Sequence, residues 1–537
     1  MKLLNSKKII LIAWGILIFF PLFSFAAQVR YGKILSESGD SLIIQYGNLE
    51  YPNYYNCAIS TLACVNLGTT LPLPENVIKP TNTYRRFVLS FDSAKNKNNH
   101  LRSFILKDNN TGKKYTRSYK VNYWDLLSEE STLSVISPDE KTLVYLDDIN
   151  GYPMLYQVNL TSLKGSKLKG KPLFTKPFSI SGFTFTSSTS LYFIADKENT
   201  YEWNLYKYDL KTKTTSIIEN SVSYAFRIRK VSNGLVFFKI QKSSSFPVFY
   251  NEQKDKVEQF SLPAPEIPET TINRKFISLN NNLYGALLTP LNFDKNTPHK
   301  LLIWLHGGPY QQTSLGYHPY LSYAVYDWIL DETVKNDVVV LKLDYRGSYG
   351  HGKLFAESIK GEVGSGDVLD VTNALASIKK DLNVSETYLM GNSYGGYLAL
   401  RSLVSNPNKF QGAISINGVT DWAVMLQNLH NSIFNIYFNG IPNKKNKKLY
   451  NQASIISRIP RLTNQKIVLI QAQADQTIPP SQADLLYQAL EKKGKKVEFY
   501  PYDDEDHVFK KKSSIQGICK NVFTTLSLPL ENNCNFQ

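Results

Sequence analysis

Short β-prone runs separated by polar turns dominate the chain from about residue 28 to residue 268. Pairs of these runs recur at an interval of about 48 residues, and an S-P-D-x-K turn precedes the clearest pair. The clear pairs are 142–146 with 154–160, 190–194 with 204–210, and 234–238 with 247–250; fainter runs are 42–44, 87–89 and 104–106. Repeats of about 40 to 50 residues made of short strands are typical of propeller blades. The pattern predicts an all-β, propeller-like domain of about five blades over 27–268, with a pair of β-sandwiches as the alternative.

The pattern changes after Pro263, Pro265 and Pro268, which mark a linker. Apolar strands then alternate with segments of helical periodicity. The predicted strands are 300–305, 338–343, 387–390, 412–416, 467–470 and 496–500, and the predicted helices are 368–380, 394–404 and 482–493. Such alternation gives a mostly parallel sheet that helices cover on both faces. Residues 269–537 are therefore predicted to form one doubly wound α/β domain.

The N-terminal segment has the pattern of a secretory signal peptide. Lysines precede an apolar run over 9–20, which Pro21 ends, and Ser24 and Ala26 supply the small residues of a cleavage site. Residues 1–26 are therefore predicted to be a signal peptide, with export to the periplasm or the medium and no stable membrane insertion after cleavage. The alternative is an uncleaved membrane anchor over 9–27.

The four cysteines lie in two local pairs, which fits an exported protein. We expect disulfides Cys57–Cys64 and Cys519–Cys534 in an oxidising compartment, with four free thiols as the alternative. Neither spacing has histidines beside it, so no zinc site is predicted. The formal net charge of +16 comes without a basic helix or a recognised nucleic-acid motif, which favours a diffuse basic surface over nucleic-acid binding.

The sequence GNSYGGY at 391–397 contains G-x-S-x-G around Ser393. A serine at the tip of a strand-to-helix turn needs small neighbours two residues away on either side, because the backbone there is strained and crowded. A short apolar strand precedes the motif, and a helical pattern follows it. This order predicts the nucleophile elbow of an α/β-hydrolase.

A serine nucleophile needs a base and an orienting carboxylate, and in this fold they follow the serine in the order acid, then histidine. His507 follows the last predicted strand, whereas His430 follows no comparable strand. Asp475 follows the strand at 467–470; Asp421 is the weaker candidate because its strand comes directly after the elbow helix. The predicted catalytic residues are Ser393, Asp475 and His507.

The developing oxyanion needs two backbone donors. We assign one to Tyr394, the residue after the nucleophile, and one to Gly308 in the glycine-rich turn at 306–309. The chemistry requires no metal and no cofactor.

These residues resemble the prolyl oligopeptidase family of serine peptidases, most closely its acylaminoacyl-peptidase branch. The motifs that carry the resemblance are HGGP at 306–309, DYRGSYGHG at 344–352, GNSYGGY at 391–397, the segment from Asp475 to Pro479, and DEDH at 504–507. The resemblance implies a propeller that caps the site and admits only short peptides. Upstream of about residue 272 it rests on the propeller-like repeats alone.

The resemblance also implies a specificity pocket, although this sequence departs from the family pattern at some positions. Val419 and Trp422 match pocket positions, and Met425 stands where proline-specific dipeptidases have an aromatic residue. Thr477 replaces an arginine that several members use to hold a substrate carbonyl. The acidic pair at 129–130 is similar to the glutamates that hold a peptide's amino terminus in those dipeptidases, but a solvated loop is the favoured interpretation, because glutamate is usually exposed.

The leading hypothesis from the sequence is an exported serine peptidase that acts on oligopeptides. An esterase with the same triad is the second hypothesis, although small esters need no size filter. A catalytically silent protein whose propeller binds a partner is the third, and the complete triad argues against it.

Overall fold

A computed structural model gives the structure of the chain. It describes residues 31–38, 40–47, 53–68, 86–92, 95–96, 99–120, 134–149, 151–222, 228–241, 244–262, 272–318, 321–427, 433–531 and 533–534. The predicted signal peptide, the proline linker, the acidic pair at 129–130 and His430 lie outside the described residues. None of the described helices is long and apolar enough to cross a membrane.

The N-terminal half consists of small antiparallel sheets, each with four strands. Their strands are, in order, β1 (Tyr31–Ser38), β2 (Ser41–Gly47), β3 (Asn53–Ala58) and β4 (Cys64–Gly68); β5 (Phe87–Asp92), β6 (Lys95–Asn96), β7 (Asn99–Asp108) and β8 (Lys114–Lys120); β9 (Ser134–Ile136), β10 (Thr142–Asp147), β11 (Met154–Asn159) and β12 (Lys171–Pro172); β13 (Ile180–Phe185), β14 (Ser190–Asn199), β15 (Glu202–Asp209) and β16 (Thr215–Glu219); and β17 (Arg229–Val231), β18 (Gly234–Gln241), β19 (Ser244–Asn251) and β20 (Lys256–Gln259). The three clear repeats of the sequence are the central strand pairs β10–β11, β14–β15 and β18–β19.

Contacts between consecutive sheets give this half its propeller-like arrangement. The second and third sheets meet through a bridge between Thr116 and Lys167, and the third and fourth through the Ile180 amide, which donates to Pro153 O at 2.9 Å. The segment after β20 returns to the first sheet, where the Cys64 amide donates to Ser261 Oγ at 2.9 Å. Apolar side chains fill the spaces between the sheets. One buried cluster joins the second and third sheets, and another joins the first, third, fourth and fifth.

The C-terminal half is an α/β-hydrolase domain built on one eight-stranded sheet. Its strands are β21 (Ile272–Leu279), β22 (Leu283–Pro290), β23 (His299–Leu305), β24 (Val338–Asp344), β25 (Val384–Asn392), β26 (Gly412–Ile416), β27 (Lys466–Ala472) and β28 (Glu498–Tyr502), and its helices are α1 (Leu321–Lys335), α2 (Lys353–Glu357), α3 (Gly366–Asp381), α4 (Tyr394–Ser405), α5 (Trp422–Leu426), α6 (Lys447–Ala453), α7 (Ser481–Lys492) and α8 (Lys512–Leu526). The spatial order is β21-β22-β24-β23-β25-β26-β27-β28, antiparallel up to the β22–β24 pair and parallel beyond it.

Successive residues of the central strands face two different cores. In β23, Leu301, Ile303 and Leu305 pack in the core that α3, α4 and α7 cover, whereas Leu302 and Trp304 pack in the core that α1 and α8 cover. The side-chain period of two in a strand explains why apolar residues must occur at every position of a sheet that is covered twice. The predicted doubly wound sheet is thereby confirmed.

The two halves contact each other through hairpin turns of the N-terminal sheets. The turn between β10 and β11 accepts the Lys353 amide at Gly151 O, at 2.6 Å, and Asp148 pairs with the Lys353 ammonium at 3.2 Å. The turn between β14 and β15 accepts the Gln312 side-chain amide at Thr200 O, at 2.5 Å. Both hairpin turns thus reach the loops at the carboxyl ends of β23 and β24, where an α/β sheet places its site.

Both predicted disulfides are present, Cys57–Cys64 and Cys519–Cys534. The second fastens the segment after α8 to the buried face of that helix, and both of its cysteines are fully buried. Its two cysteines are 15 residues apart in the sequence, so a cross-link there restricts the unfolded chain substantially.

We expect the double variant Cys519→Ala/Cys534→Ala to lose about 3 kcal/mol of stability, because loss of this cross-link frees a loop of that length in the unfolded state. Thermal melting should show a drop of several degrees for the variant, and at least as large a drop for the reduced wild type, which loses both disulfides. An oxidised and a reduced wild type with equal melting temperatures would contradict the prediction.

Candidate active site

Ser393 lies on the turn between β25 and α4, with φ 58° and ψ −120°. The turn is so crowded that side chains are excluded on both sides of the serine. A Cβ at Gly391 would lie 2.3 Å from the carbonyl carbon of Gly395, and a Cβ at Gly395 would lie 1.9 Å from Leu305 O. The Ser393 amide donates to Ile416 O at 2.8 Å, which ties the strained residue to the neighbouring strand β26.

Asp475 and His507 form an acid–base pair at the ends of neighbouring strands. Asp475 follows β27 and His507 follows β28, and His507 Nδ1 donates to Asp475 Oδ2 at 2.7 Å. The other carboxylate oxygen of Asp475 accepts the amides of Thr477 at 2.7 Å and Ile478 at 2.8 Å. The carboxylate is therefore fixed in orientation, and it holds the imidazole with Nε2 available for a proton.

The nucleophile and the base are brought to the same edge of the sheet without a direct bond. Among the described residues, no hydrogen bond joins the Ser393 hydroxyl to His507. Residues 416 and 417 connect the two positions, because Ile416 O accepts the Ser393 amide and the Asn417 side chain donates to His507 O at 3.0 Å. Such separation is common before a substrate tightens the site.

Candidate oxyanion donors lie beside Ser393. A Cβ at Gly307 would lie 3.2 Å from Ser393 Cβ, which places the 306–309 turn directly against the nucleophile. Within the described part of the chain, neither Gly307 nor Gly308 donates its amide to another protein group. Tyr394 is the first residue of α4, where the amides of the first turn have no partner inside the helix. The structure thus adds Gly307 to the predicted donors Gly308 and Tyr394.

Comparison with known proteins agrees with this geometry. Residues 324–523 match the model of the prolyl oligopeptidase family. The chain contains a prolyl oligopeptidase family domain. That match and the peptidases among the relatives support a hydrolase of the serine peptidase class.

Among curated relatives, the chain is 23% identical over 387 residues to dipeptidyl peptidase family member 6 of Caenorhabditis elegans, covering 70% of this chain and 48% of that protein. It is 24% identical over 290 residues to dipeptidyl aminopeptidase BIII of Pseudoxanthomonas mexicana, covering 51% of this chain and 40% of that protein. The matched region therefore spans less than half the length of either relative.

Solved structures share the fold over nearly the whole chain. A puromycin-hydrolyzing peptidase of Mycobacterium tuberculosis superposes with a TM-score of 0.67 at 16% identity, over 92% of this chain and 79% of that one. Dipeptidyl peptidase 4 of Porphyromonas gingivalis superposes with a TM-score of 0.64 at 12% identity, over 94% and 72% of the two chains. The similarity includes the N-terminal sheets, which fits a propeller-like domain before the family domain.

The loop that carries His507 is held by two residues whose roles the sequence did not indicate. Asn417 is fully buried with φ 46°; besides its bond to His507 O, its side-chain oxygen accepts the Ala472 amide at 2.8 Å. Glu505 is buried, and its carboxylate accepts the amides of Lys510 at 2.7 Å and Lys511 at 2.8 Å. A signal existed for Glu505, which lies in the DEDH motif, but none for Asn417, whose partners are remote in the sequence.

The predicted pocket residues lie together beside the nucleophile turn. Val419, Trp422 and Met425 are all buried. The Trp422 ring lies 5.8 Å from the ring of Tyr394 and 5.5 Å from that of Tyr397. This apolar cluster is adjacent to the site, and its side chains are buried among other residues of the domain. Asp421, the weaker acid candidate, instead caps α5 by accepting the amides at 423 and 424.

A buried carboxyl group contacts the residue that follows the nucleophile. The Tyr394 hydroxyl donates to Asp367 Oδ2 at 2.7 Å, and the Tyr394 ring stacks on Tyr345 at 5.8 Å. Burial raises the pKa of Asp367 to about 6, although hydrogen bonds from Tyr394 and from backbone amides favour the ionised form. Sequence periodicity gave no sign of this pair, because Asp367 reads as an ordinary acidic residue in the first turn of α3.

We expect the stability difference between wild type and Asp367→Asn to depend on pH. The pKa of Asp367 is higher in the folded state than its ordinary value of 3.8. Between pH 3.8 and about pH 6, the folded state therefore binds more protons at this group than the unfolded state does. Its stabilising contribution is complete below about pH 4 and is lost as the pH rises to about 6, by roughly 3 kcal/mol.

Melting temperatures between pH 4 and pH 8 test this expectation. The stability of the variant relative to that of wild type should increase up to about pH 6 and stay constant above it. Asp381→Asn, at the exposed end of the same helix, is the matched control and should show no such trend. A pH-independent difference for Asp367→Asn would contradict the prediction.

Proposed function

We propose that this protein is an exported serine peptidase that hydrolyses peptide bonds in oligopeptides through an acyl-enzyme. Ser393 is the nucleophile, His507 the general base and Asp475 its orienting carboxylate. The observation that carries the proposal is the 2.7 Å bond between His507 Nδ1 and Asp475, on the same sheet edge as the strained turn of Ser393. A buried, doubly anchored carboxylate has little other reason to face a histidine there.

The geometry supports acyl transfer in two steps. The Ser393 oxygen attacks the carbonyl carbon of the scissile bond while its proton passes to His507 Nε2, and the carbonyl oxygen takes the negative charge. The amide of Tyr394, with that of Gly308 or Gly307, donates to this oxyanion. The C–N bond then breaks, and His507 gives the proton to the leaving amine. A water molecule then attacks the acyl-enzyme ester in the same way, with His507 as its base, and releases the acid product and free Ser393.

Oligopeptides are the proposed substrates because the N-terminal domain lies close to the site. Its hairpin turns bond to Gln312 and Lys353. Gln312 follows β23, which pairs with the nucleophile strand β25, and Lys353 follows β24, the next strand beyond β23. A narrow channel through stacked sheets admits short or flexible chains and excludes folded ones. The puromycin-hydrolyzing peptidase of Mycobacterium tuberculosis among the similar structures has a small molecule as the substrate in its name.

Export is supported by the basic and apolar pattern of the N-terminus together with two disulfides. Disulfides persist in oxidising compartments and are rare in the cytosol. We place the protein in the periplasm or the medium, with the uncleaved anchor as the alternative.

We expect Ser393→Ala to lower the cleavage rate of short peptides by several orders of magnitude, because no other group replaces the nucleophile. Rates should be measured on a peptide library and on short acyl esters. Ser457→Ala, an exposed serine of the same domain, is the control and should keep full activity. An alanine variant that retains activity would place the nucleophile elsewhere, and turnover of esters alone would favour an esterase.

We also expect cleavage to fall steeply with the size and order of the substrate. The test is a length series of one peptide sequence, together with a stable folded protein in its native and its reduced, alkylated forms. Short peptides should be cleaved, and the native protein should resist. Equal digestion of the native protein would mean that the N-terminal domain does not filter substrates.

A further inference from the structure

A buried carboxylate at the domain interface binds groups from both halves of the protein. Asp344 ends β24 and is fully buried. Its Oδ1 accepts the Thr313 amide at 2.8 Å, and its Oδ2 accepts His351 Nε2 at 2.8 Å. A further donor comes from the N-terminal domain, where the Tyr201 hydroxyl donates to Oδ2 at 2.9 Å. Burial alone would raise the pKa of Asp344, but hydrogen bonds and charge from His306 and His351 hold it well below its usual range.

Tyr201 is itself held firmly in the interface. It lies in the turn between β14 and β15, and its ring stacks on Phe276 with centroids 3.6 Å apart. The neighbouring Thr200 O accepts the Gln312 side-chain amide at 2.5 Å. The hairpin therefore contacts the hydrolase domain at two polar points, the Gln312 side chain after the 306–309 turn and the Asp344 carboxylate at the end of β24.

The same carboxylate continues to the turn beside the nucleophile. His306 Nε2 lies 3.5 Å from Asp344 Oδ1 and 2.9 Å from Ser348 Oγ, while His306 Nδ1 lies 2.8 Å from Gly307 O. The Ser348 hydroxyl donates to Tyr345 O at 2.7 Å, so both ring nitrogens of His306 face acceptors.

The hydrogen bond between His306 Nδ1 and Gly307 O affects the orientation of the oxyanion donors. It fixes the peptide group between Gly307 and Gly308, and with it the amide of Gly308. The Tyr345 hydroxyl also donates to His306 O at 2.6 Å, which fixes the preceding peptide group and the Gly307 amide. Both candidate oxyanion amides are thus set by bonds that lead back to Asp344 and its surroundings.

We propose that Tyr201 is a positioning residue, supplied by the N-terminal domain, that orients the oxyanion amides of the 306–309 turn through Asp344 and His306. The inference rests on the proposed function, since it assigns a purpose to those amides. It means that the hydrolase domain reaches full catalytic power only when the β14–β15 hairpin is docked. The substrate need not touch Tyr201 for this effect, so the residue acts on the chemical step and not on binding.

The test compares Tyr201→Phe with Tyr152→Phe in the full-length protein. Tyr152 lies in the turn between β10 and β11, and its ring packs on Gly352 at the same interface; among the described residues its hydroxyl makes no hydrogen bond to the protein. Each variant loses one hydroxyl and keeps its ring. The measurements are kcat and KM on a short peptide, and the second-order rate of Ser393 labelling by a fluorophosphonate, which also needs the oxyanion donors.

We expect Tyr201→Phe to lower kcat and the labelling rate by about ten-fold, as a small displacement of a catalytic group does, with KM changed less than about two-fold. Tyr152→Phe should match wild type in all three. Gln312→Met removes the second tether of the hairpin and should shift the same quantities in the same direction, which keeps the test valid if Tyr201→Phe folds poorly.

The outcomes separate this inference from the proposed function. A wild type that is labelled at Ser393 but cleaves no peptide would refute the peptidase proposal, while the labelling rates still decide the role of Tyr201. Equal labelling of Tyr201→Phe, Gln312→Met and Tyr152→Phe would overturn the inference in an active enzyme. A rise in KM at constant kcat would also overturn it, because it would assign Tyr201 to substrate binding.

Discussion

The close packing of backbone around Ser393 is the constraint on which the rest of the site depends. A residue with φ 58° and ψ −120° persists only where its surroundings enforce it. Here Leu305 O leaves no room for a Cβ at Gly395, and Ile416 O takes the Ser393 amide. The turn is therefore defined by the strands on either side, β23 and β26, and the same crowding brings the 306–309 turn next to the serine.

The parallel sheet explains how remote residues meet at this turn. Because neighbouring parallel strands end at the same edge, the loops after β24, β27 and β28 converge there without long excursions. Asn417 and Glu505 then fix the loop of His507, and Asp344 connects the 306–309 turn to the N-terminal domain. Substrate filtering and catalytic geometry would thus depend on one docked arrangement of the two halves.

Local patterns predicted the elements that alternate regularly, and tertiary contacts account for the rest. The repeats at 142–160 and 190–210 became paired strands, because short runs of β-branched and aromatic residues bounded by polar turns favour buried strands. Helix α1 was not predicted, because polar residues interrupt its apolar positions and several of them are themselves buried, so the segment shows no single apolar face. Asn417 contacts a residue 90 positions away, and Tyr201 one 143 positions away. No local signal can specify such pairs, since the topology of the whole sheet sets them.

The central claim is that Ser393 is a nucleophile activated on its strained turn, with His507 as its base. Mass spectrometry of the protein after reaction with a fluorophosphonate, followed by peptide mapping, tests it most directly. We predict one adduct per chain, on the peptide that contains Ser393, and a much slower reaction in His507→Ala. An adduct on another residue, or an unchanged rate in the histidine variant, would contradict the account.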